Sequence, residues 1–152
     1  MLETLELSWV ARAIGGSQML TASLSAMHLL GFTLVMGSAL VSNLRLLGRL
    51  LPGHAATEVT GPAARALFVG VLISATSGLL LFAPRATGAA ANSTFRVKLA
   101  LIVAAALFHF AVQSRVARRA HEAPGAARVA GALGLALWAG VALAACAFIL
   151  IE

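Results

Sequence analysis

The chain is poor in the groups on which most soluble enzymes depend. Of its 152 residues only five are acidic, and none lies inside an apolar run. A carboxylate proton relay of the kind that membrane pumps carry is therefore excluded. Cys146 is the single cysteine, so no internal disulfide forms, and its place in the last apolar run marks it as a small packing residue. There is no Cys-x-x-Cys-His run, which excludes ordinary covalent haem attachment of the c type. A His-Glu-x-x-His pair, a phosphate-binding loop and a nucleophile elbow are absent too.

What is present is apolar. Hydrophobic residues make up 61% of the chain and charged ones 11%; the mean hydropathy is +0.96, beyond ordinary soluble domains. Predominantly apolar runs cover roughly residues 19–41, 64–83, 97–116 and 126–151, each near the ~20 residues that a bilayer core requires of a helix. The expectation is an all-α integral membrane four-helix bundle, one four-span domain over residues 1–152, with no room for a soluble catalytic domain. Ahead of the first run, Glu3 and Glu6 stand where a secretory signal needs positive charge, so no cleaved signal peptide is expected. Leu2, Leu5, Trp9 and Ala13 recur at helical spacing, which predicts a short interfacial N-terminal segment; a disordered tail is the alternative for so short a stretch.

Basic residues indicate orientation. The first and third loops carry Arg45, Arg49, Arg65, Arg115, Arg118, Arg119 and Arg128, against Arg12, Arg85, Arg96 and Lys98 at the N-terminus and second loop. The positive-inside rule then places both termini outside. The net charge of +6 suits anionic lipid headgroups. Its division between two faces, without a basic domain, argues against nucleic acid.

Two histidines, His28 and His109, lie within the runs, where an ionisable group is costly and imidazole is the commonest metal ligand. Counted from Met19 and Val97, they fall roughly 14 and 18 Å below the outer boundary at 1.5 Å per residue, which predicts facing ligands. Gly31 follows His28 by three residues, and Ala105 and Ala106 precede His109, leaving room for a flat macrocycle. Ser17, Thr21 and Ser25 lie outward of His28, and Lys98 falls close to the stripe of His109, placed to meet a haem propionate. The pattern predicts one haem b per chain with His28 and His109 as axial metal ligands and Gly31, Ala105 and Lys98 around it. The competing reading is that each histidine simply bonds to a neighbouring helix. Met27 and Met36 could add a soft copper(I) site to His28, although methionine in an apolar helix is ordinarily packing. His54 and His121 fall in loops, where histidine is ordinarily solvated. Gly70, Ser74 and Gly78 form a line of small residues, as do Ala130 with Gly134 and Gly140 with Ala144. Such lines allow close helix contact within the bundle, in a homo-oligomer or in a larger membrane complex.

Met27-His28-Leu29-Leu30-Gly31, Gly37, Asn43-Leu44-Arg45-Leu46-Leu47-Gly48, Thr76-Ser77-Gly78-Leu79-Leu80-Leu81-Phe82 and Asn92-Ser93-Thr94-Phe95-Arg96-Val97-Lys98-Leu99 together resemble an uncharacterised group of small four-span bacterial membrane proteins. That group is similar to the copper-resistance D family and to membrane cytochromes of the cytochrome b561 kind. The resemblance implies a bacterial inner-membrane bundle with haem b or a metal between helices, exchanging electrons with a quinone and an external redox protein. Copper handling and a non-catalytic assembly role are its alternatives. A di-haem cytochrome of that kind would need about four axial histidines; the two in the spans favour one haem.

Overall fold

The computed structural model describes residues 2–151, and side chains over residues 2–147. Among them no strand forms. Two short helices, α1 (Leu2–Glu6) and α2 (Trp9–Gly15), precede the long helices α3 (Gln18–Leu46) and α4 (Ala56–Phe82). A 3-10 turn (Ala83–Arg85) and α5 (Ala86–Ala91) lead to a third span built from α6 (Ser93–Leu107), a π turn (Phe108–Gln113) and α7 (Ser114–Arg118); α8 (Pro124–Ile151) is the fourth. Four helical stretches are thus long and apolar enough to cross a membrane, and the chain is an integral, multi-pass four-helix bundle.

Local signals set the helix ends. Ser17 accepts from the Leu20 amide at 3.3 Å and opens α3; Asn92 accepts from the amides of Thr94 and Phe95 and opens α6. Hydropathy placed the start of the second span at residue 64, but α4 begins at Ala56 because Glu58 reaches back to the Ala55 amide at 3.1 Å. Gly48, with φ of 75°, ends α3 in the left-handed region, and its amide and that of Arg49 bond to the carbonyls of Arg45 and Leu44.

The N-terminal segment is folded onto the end of the bundle that holds the turn between α4 and α5, termed the outer end by its place in the fold alone. Glu6 accepts from the Thr87 amide at 2.7 Å, Thr21 donates to the Ile14 carbonyl at 2.8 Å, and Ala11 and Ile14 are buried while Trp9 is exposed. A ring exposed at that level suits the headgroup region.

In the bundle α3 packs on α4 and α8, and α6 packs on α8, while the π turn and α7 bring the inner end of the third span to α8 and α4. The α3–α4 crossing is close because both partners lack side chains where they meet. A Cβ on Gly31 would lie 2.8 Å from the Ser74 amide nitrogen, and one on Gly70 would lie 2.8 Å from the Gly31 carbonyl oxygen. Val35, Ala39, Leu67, Ala105, Trp138 and Val141 form the buried centre. Leu46, Ala56, Ala117 and Ala127 tie the inner ends together. Large apolar side chains such as Leu30, Leu79 and Leu143 face outward, as lipid rather than water demands.

Candidate functional site

Two polar sites interrupt the apolar interior, one in each half. In the outer half, His28 of α3 lies against α4. Its Nδ1 donates to the Ser74 carbonyl at 2.9 Å, and Ser74 Oγ returns a bond to the His28 carbonyl at 3.2 Å. Because a carbonyl only accepts, Nδ1 carries the proton. Ser77 Oγ spends its own proton on the Ile73 carbonyl at 2.6 Å and lies 3.3 Å from the same Nδ1 as a second acceptor. In the neutral ring the tautomer is thereby assigned, and Nε2 keeps its lone pair. Gly78 makes the seat, since a Cβ there would stand 3.0 Å from His28 Cε1. Lys98 of α6 is within electrostatic reach of His28. One turn outward of Gly78, Phe82 stacks on Phe95 with centroids 5.4 Å apart and planes at 8°.

The inner half holds the second site. His109 lies in the π turn, its ring edge-on to Phe110, which is edge-on to Phe68 of α4. Gln113, four residues on, donates from Nε2 to Asn43 Oδ1 at 2.5 Å and to the Ala130 carbonyl at 3.1 Å, joining α3, the π turn and α8. Asn43 donates to the Ala39 carbonyl at 2.7 Å. His109 Nδ1, Gln113 Oε1 and Ser42 Oγ are buried without a closed hydrogen bond.

The π turn explains how this stripe stays inside. Ala105, His109, Gln113 and Ala117 are 0%, 4%, 3% and 5% exposed. In a straight α-helix each step of four residues precesses by about 40°, so these three steps would carry the stripe about 120° around the helix. The wider π turn absorbs that drift and keeps all four facing the bundle.

Residues 1–149 match the model of a family of unknown function, DUF6644. The chain belongs to the DUF6644 family. No curated protein and no solved structure matches it.

For this DUF6644 member the geometry sorts the residues singled out from sequence. His28 and Lys98 lie within electrostatic reach of each other. His28 and His109 are not brought together, which corrects the expectation of facing axial ligands. The bond between Gln113 and Asn43 sets those two residues at one level. His28 lies fifteen residues outward of Asn43, about 22 Å along α3, whereas His109 is only four residues, about 6 Å, outward of Gln113. The imidazoles are therefore separated by about 16 Å in depth, far beyond the reach of metal–nitrogen bonds of about 2 Å. The eleven residues between Lys98 and His109 correspond to the same offset, about 16 Å, which puts Lys98 at the level of His28. Equal depths followed from starting both spans at one plane; the polar tie at the inner end imposes another register.

Gly31 and Ala105 also take different roles from those expected. The space at Gly31 is filled by the α4 backbone at Gly70 and Ser74, and Ala105 sits in the closed core with Trp138 and Val141, so neither leaves a slot for a macrocycle. Met36 packs against that core while Met27 faces outward, so the two do not converge on His28. His54 and His121 are exposed in their loops, and the Arg45 guanidinium donates to the His54 carbonyl. Of the small-residue lines, Gly70, Ser74 and Gly78 all serve the α3–α4 contact, and Gly134 faces Asn43 and Gln113; at Gly140 nothing comes closer than Leu101 at 3.9 Å. Sequence reasoning missed Ser77 and Gln113. The signal for Gln113 was an amide inside a span, one turn from a histidine, which has to find a partner within the bundle.

Proposed function

We propose that the protein is an electron-transfer component of a bacterial inner membrane, with both termini outside, that takes one haem b through His28 Nε2. Lys98 is the charge partner for a propionate. One observation supports this reading: His28 gives its Nδ1 proton to a backbone carbonyl, the arrangement by which proteins orient an imidazole and raise its basicity for a metal on the other nitrogen. The fit is to one nitrogen of this chain, His28 Nε2, because His109 lies too deep to hold the same group. Haem, when bound, supplies a one-electron couple. The chain's own contribution is to hold the ring, keep its proton on Nδ1 and place a cation beside the anionic edge of the group. A quinone in the lipid and a redox protein outside are the matching partners.

The reciprocal bonds between His28 and Ser74 favour a second reading, a clamp between α3 and α4 in a non-catalytic assembly subunit. Three substitutions separate the two. In His28→Asn the side-chain amide nitrogen takes the place of Nδ1 and preserves the clamp without a ligating nitrogen; His28→Gln carries its amide beyond the Nδ1 position and, like His28→Ala, removes both the clamp and the ligand. With haem supplied, the wild type is expected to purify with haem, His28→Asn to lose it at wild-type stability, and His28→Ala to lose both. A haem-free wild type, or a His28→Asn variant with an unchanged haem spectrum, overturns the haem reading. Destabilisation confined to His28→Ala and His28→Gln then supports the clamp.

A further inference from the structure

The inner polar site holds an ionisable ring that the haem reading does not use. His109 is buried, yet the tie between Gln113, Asn43 and Ala130 closes without it. We propose that Gln113 is the positioning residue for His109: it holds the ring proton on Nδ1 and leaves Nε2 as a base, so that the pair forms a proton-binding site in the inner half of the bundle.

The direction of the polar chain through Gln113 carries the inference. Asn43 Nδ2 donates to the Ala39 carbonyl at 2.7 Å, so its Oδ1 is turned to Gln113 as an acceptor. Gln113 Nε2 donates to that oxygen and to the Ala130 carbonyl. Turning either amide over would set an amide oxygen against a carbonyl oxygen, so the backbone carbonyls of Ala39 and Ala130 fix the polarity of the whole chain. It ends on Gln113 Oε1, a buried acceptor without a closed hydrogen bond. Four residues outward in the same π turn, His109 Nδ1 is buried and equally without one, and the Gln113 side chain is within interaction range of the ring. With the proton on Nε2, two bare acceptors would meet in an apolar interior. With the proton on Nδ1, each atom satisfies the other.

The same arrangement suits the charged form of the ring. An amide that donates twice is polarised towards its oxygen, which strengthens the bond Oε1 accepts from an imidazolium. The π turn covers both residues, Phe108–Gln113, and such turns recur at functional sites. An ionisable ring inside a span is costly, and the three-helix tie does not require one. The charged groups on the surrounding elements are Arg45 of α3, Glu58 and Arg65 of α4, Arg115 and Arg118 of α7 and Arg128 of α8. All but Arg45 are exposed, and Arg45 donates to the His54 carbonyl, so the group acting on the ring is the neutral Gln113. On protonation one N–H bond forms at Nε2. The proton comes from an acid of the inner aqueous phase, whose conjugate base stays in water, and the Nδ1 proton does not move.

The full chain, labelled with nitrogen-15 in its histidine rings and reconstituted in phosphatidylcholine nanodiscs, is titrated with acid and followed by nitrogen NMR, which distinguishes the two tautomers and the imidazolium. His109→Asn identifies the signals of His109. The expected result is a neutral ring with its proton on Nδ1 that becomes doubly protonated, reversibly, on acidification. Gln113→Leu keeps the bulk and removes the acceptor; it is expected to move the proton to Nε2 and to need about tenfold more acid for the second proton, the worth of one hydrogen bond to a charged group. Circular dichroism shows whether Gln113→Leu folds, and if it does not, the wild-type signals carry the test alone. A wild-type ring protonated on Nε2 overturns the proposal. So does a folded Gln113→Leu variant with an unchanged tautomer, or a wild-type ring that stays neutral down to the acid at which the chain unfolds.

Discussion

Gly134→Ala and Gly140→Ala make the same chemical change on one face-rich helix, six residues apart, and the structure assigns them opposite effects. At Gly134 a Cβ would fall on Asn43 Oδ1 and Gln113 Nε2. The side chains cannot step aside without losing the bonds that tie α3, the π turn and α8. Nor can α8 withdraw cheaply, because Gly131 is already against the Asn43 carbonyl. Overpacking costs about 1–3 kcal/mol, and an interhelical hydrogen bond in a membrane contributes about 0.6, at most about 1.7 kcal/mol. Alanine returns roughly 0.5–1 kcal/mol of helix preference. Gly134→Ala is therefore expected to destabilise by about 1–3 kcal/mol. At Gly140 the nearest atoms are those of Leu101 at 3.9 Å, so only the helix preference remains and the variant is expected to gain roughly 0.5–1 kcal/mol. Reversible unfolding in mixed micelles of increasing dodecyl sulfate content, followed by circular dichroism, measures both. Gln113→Ala combined with Gly134→Ala vacates the contested space, so the pair should couple favourably by more than about 0.5 kcal/mol. If the two glycine variants prove equally stable, or no coupling is found, the three-helix tie is not where the structure places it, and the depth argument that separates His28 from His109 falls with it.

Gly70→Ala puts a methyl group against backbone atoms of Gly31 and Val35, and is expected to cost about 1–3 kcal/mol in the same assay; a neutral result would contradict the close α3–α4 crossing. Lys98→Met, in protein that holds haem, is expected to leave the ligand spectrum unchanged and lower the midpoint potential, because removing a cation beside the haem disfavours the added electron. An unchanged midpoint in a redox titration would return Lys98 to the role of a membrane anchor. With Cys146 replaced by Ala, a cysteine introduced beside Arg118 is expected to resist an impermeant thiol reagent applied outside intact cells, while one near Leu5 reacts; the opposite pattern would reverse the topology.

The spans were legible in the sequence because a bilayer leaves the backbone no alternative: an apolar run of sufficient length must satisfy its hydrogen bonds internally, and a helix does so. The same reasoning exposed His28 and His109 as costly residues at membrane depth. Their grouping was a different matter. Position along a sequence measures depth within one helix, but the axial offset between helices is set where side chains meet, here by Gln113 between Asn43 and Ala130 and by the contact of Gly31 with Gly70. Those contacts moved His109 about 16 Å inward of His28, turned Gly31 and Ala105 from open space into packing, and left Lys98 with the outer histidine. The four helices were determined locally, residue by residue, by the cost of an unpaired peptide group in lipid. Which polar groups share a site was decided only in the assembled bundle, because buried amides must find partners on other helices, and the register that satisfies them fixes the depth of every other side chain.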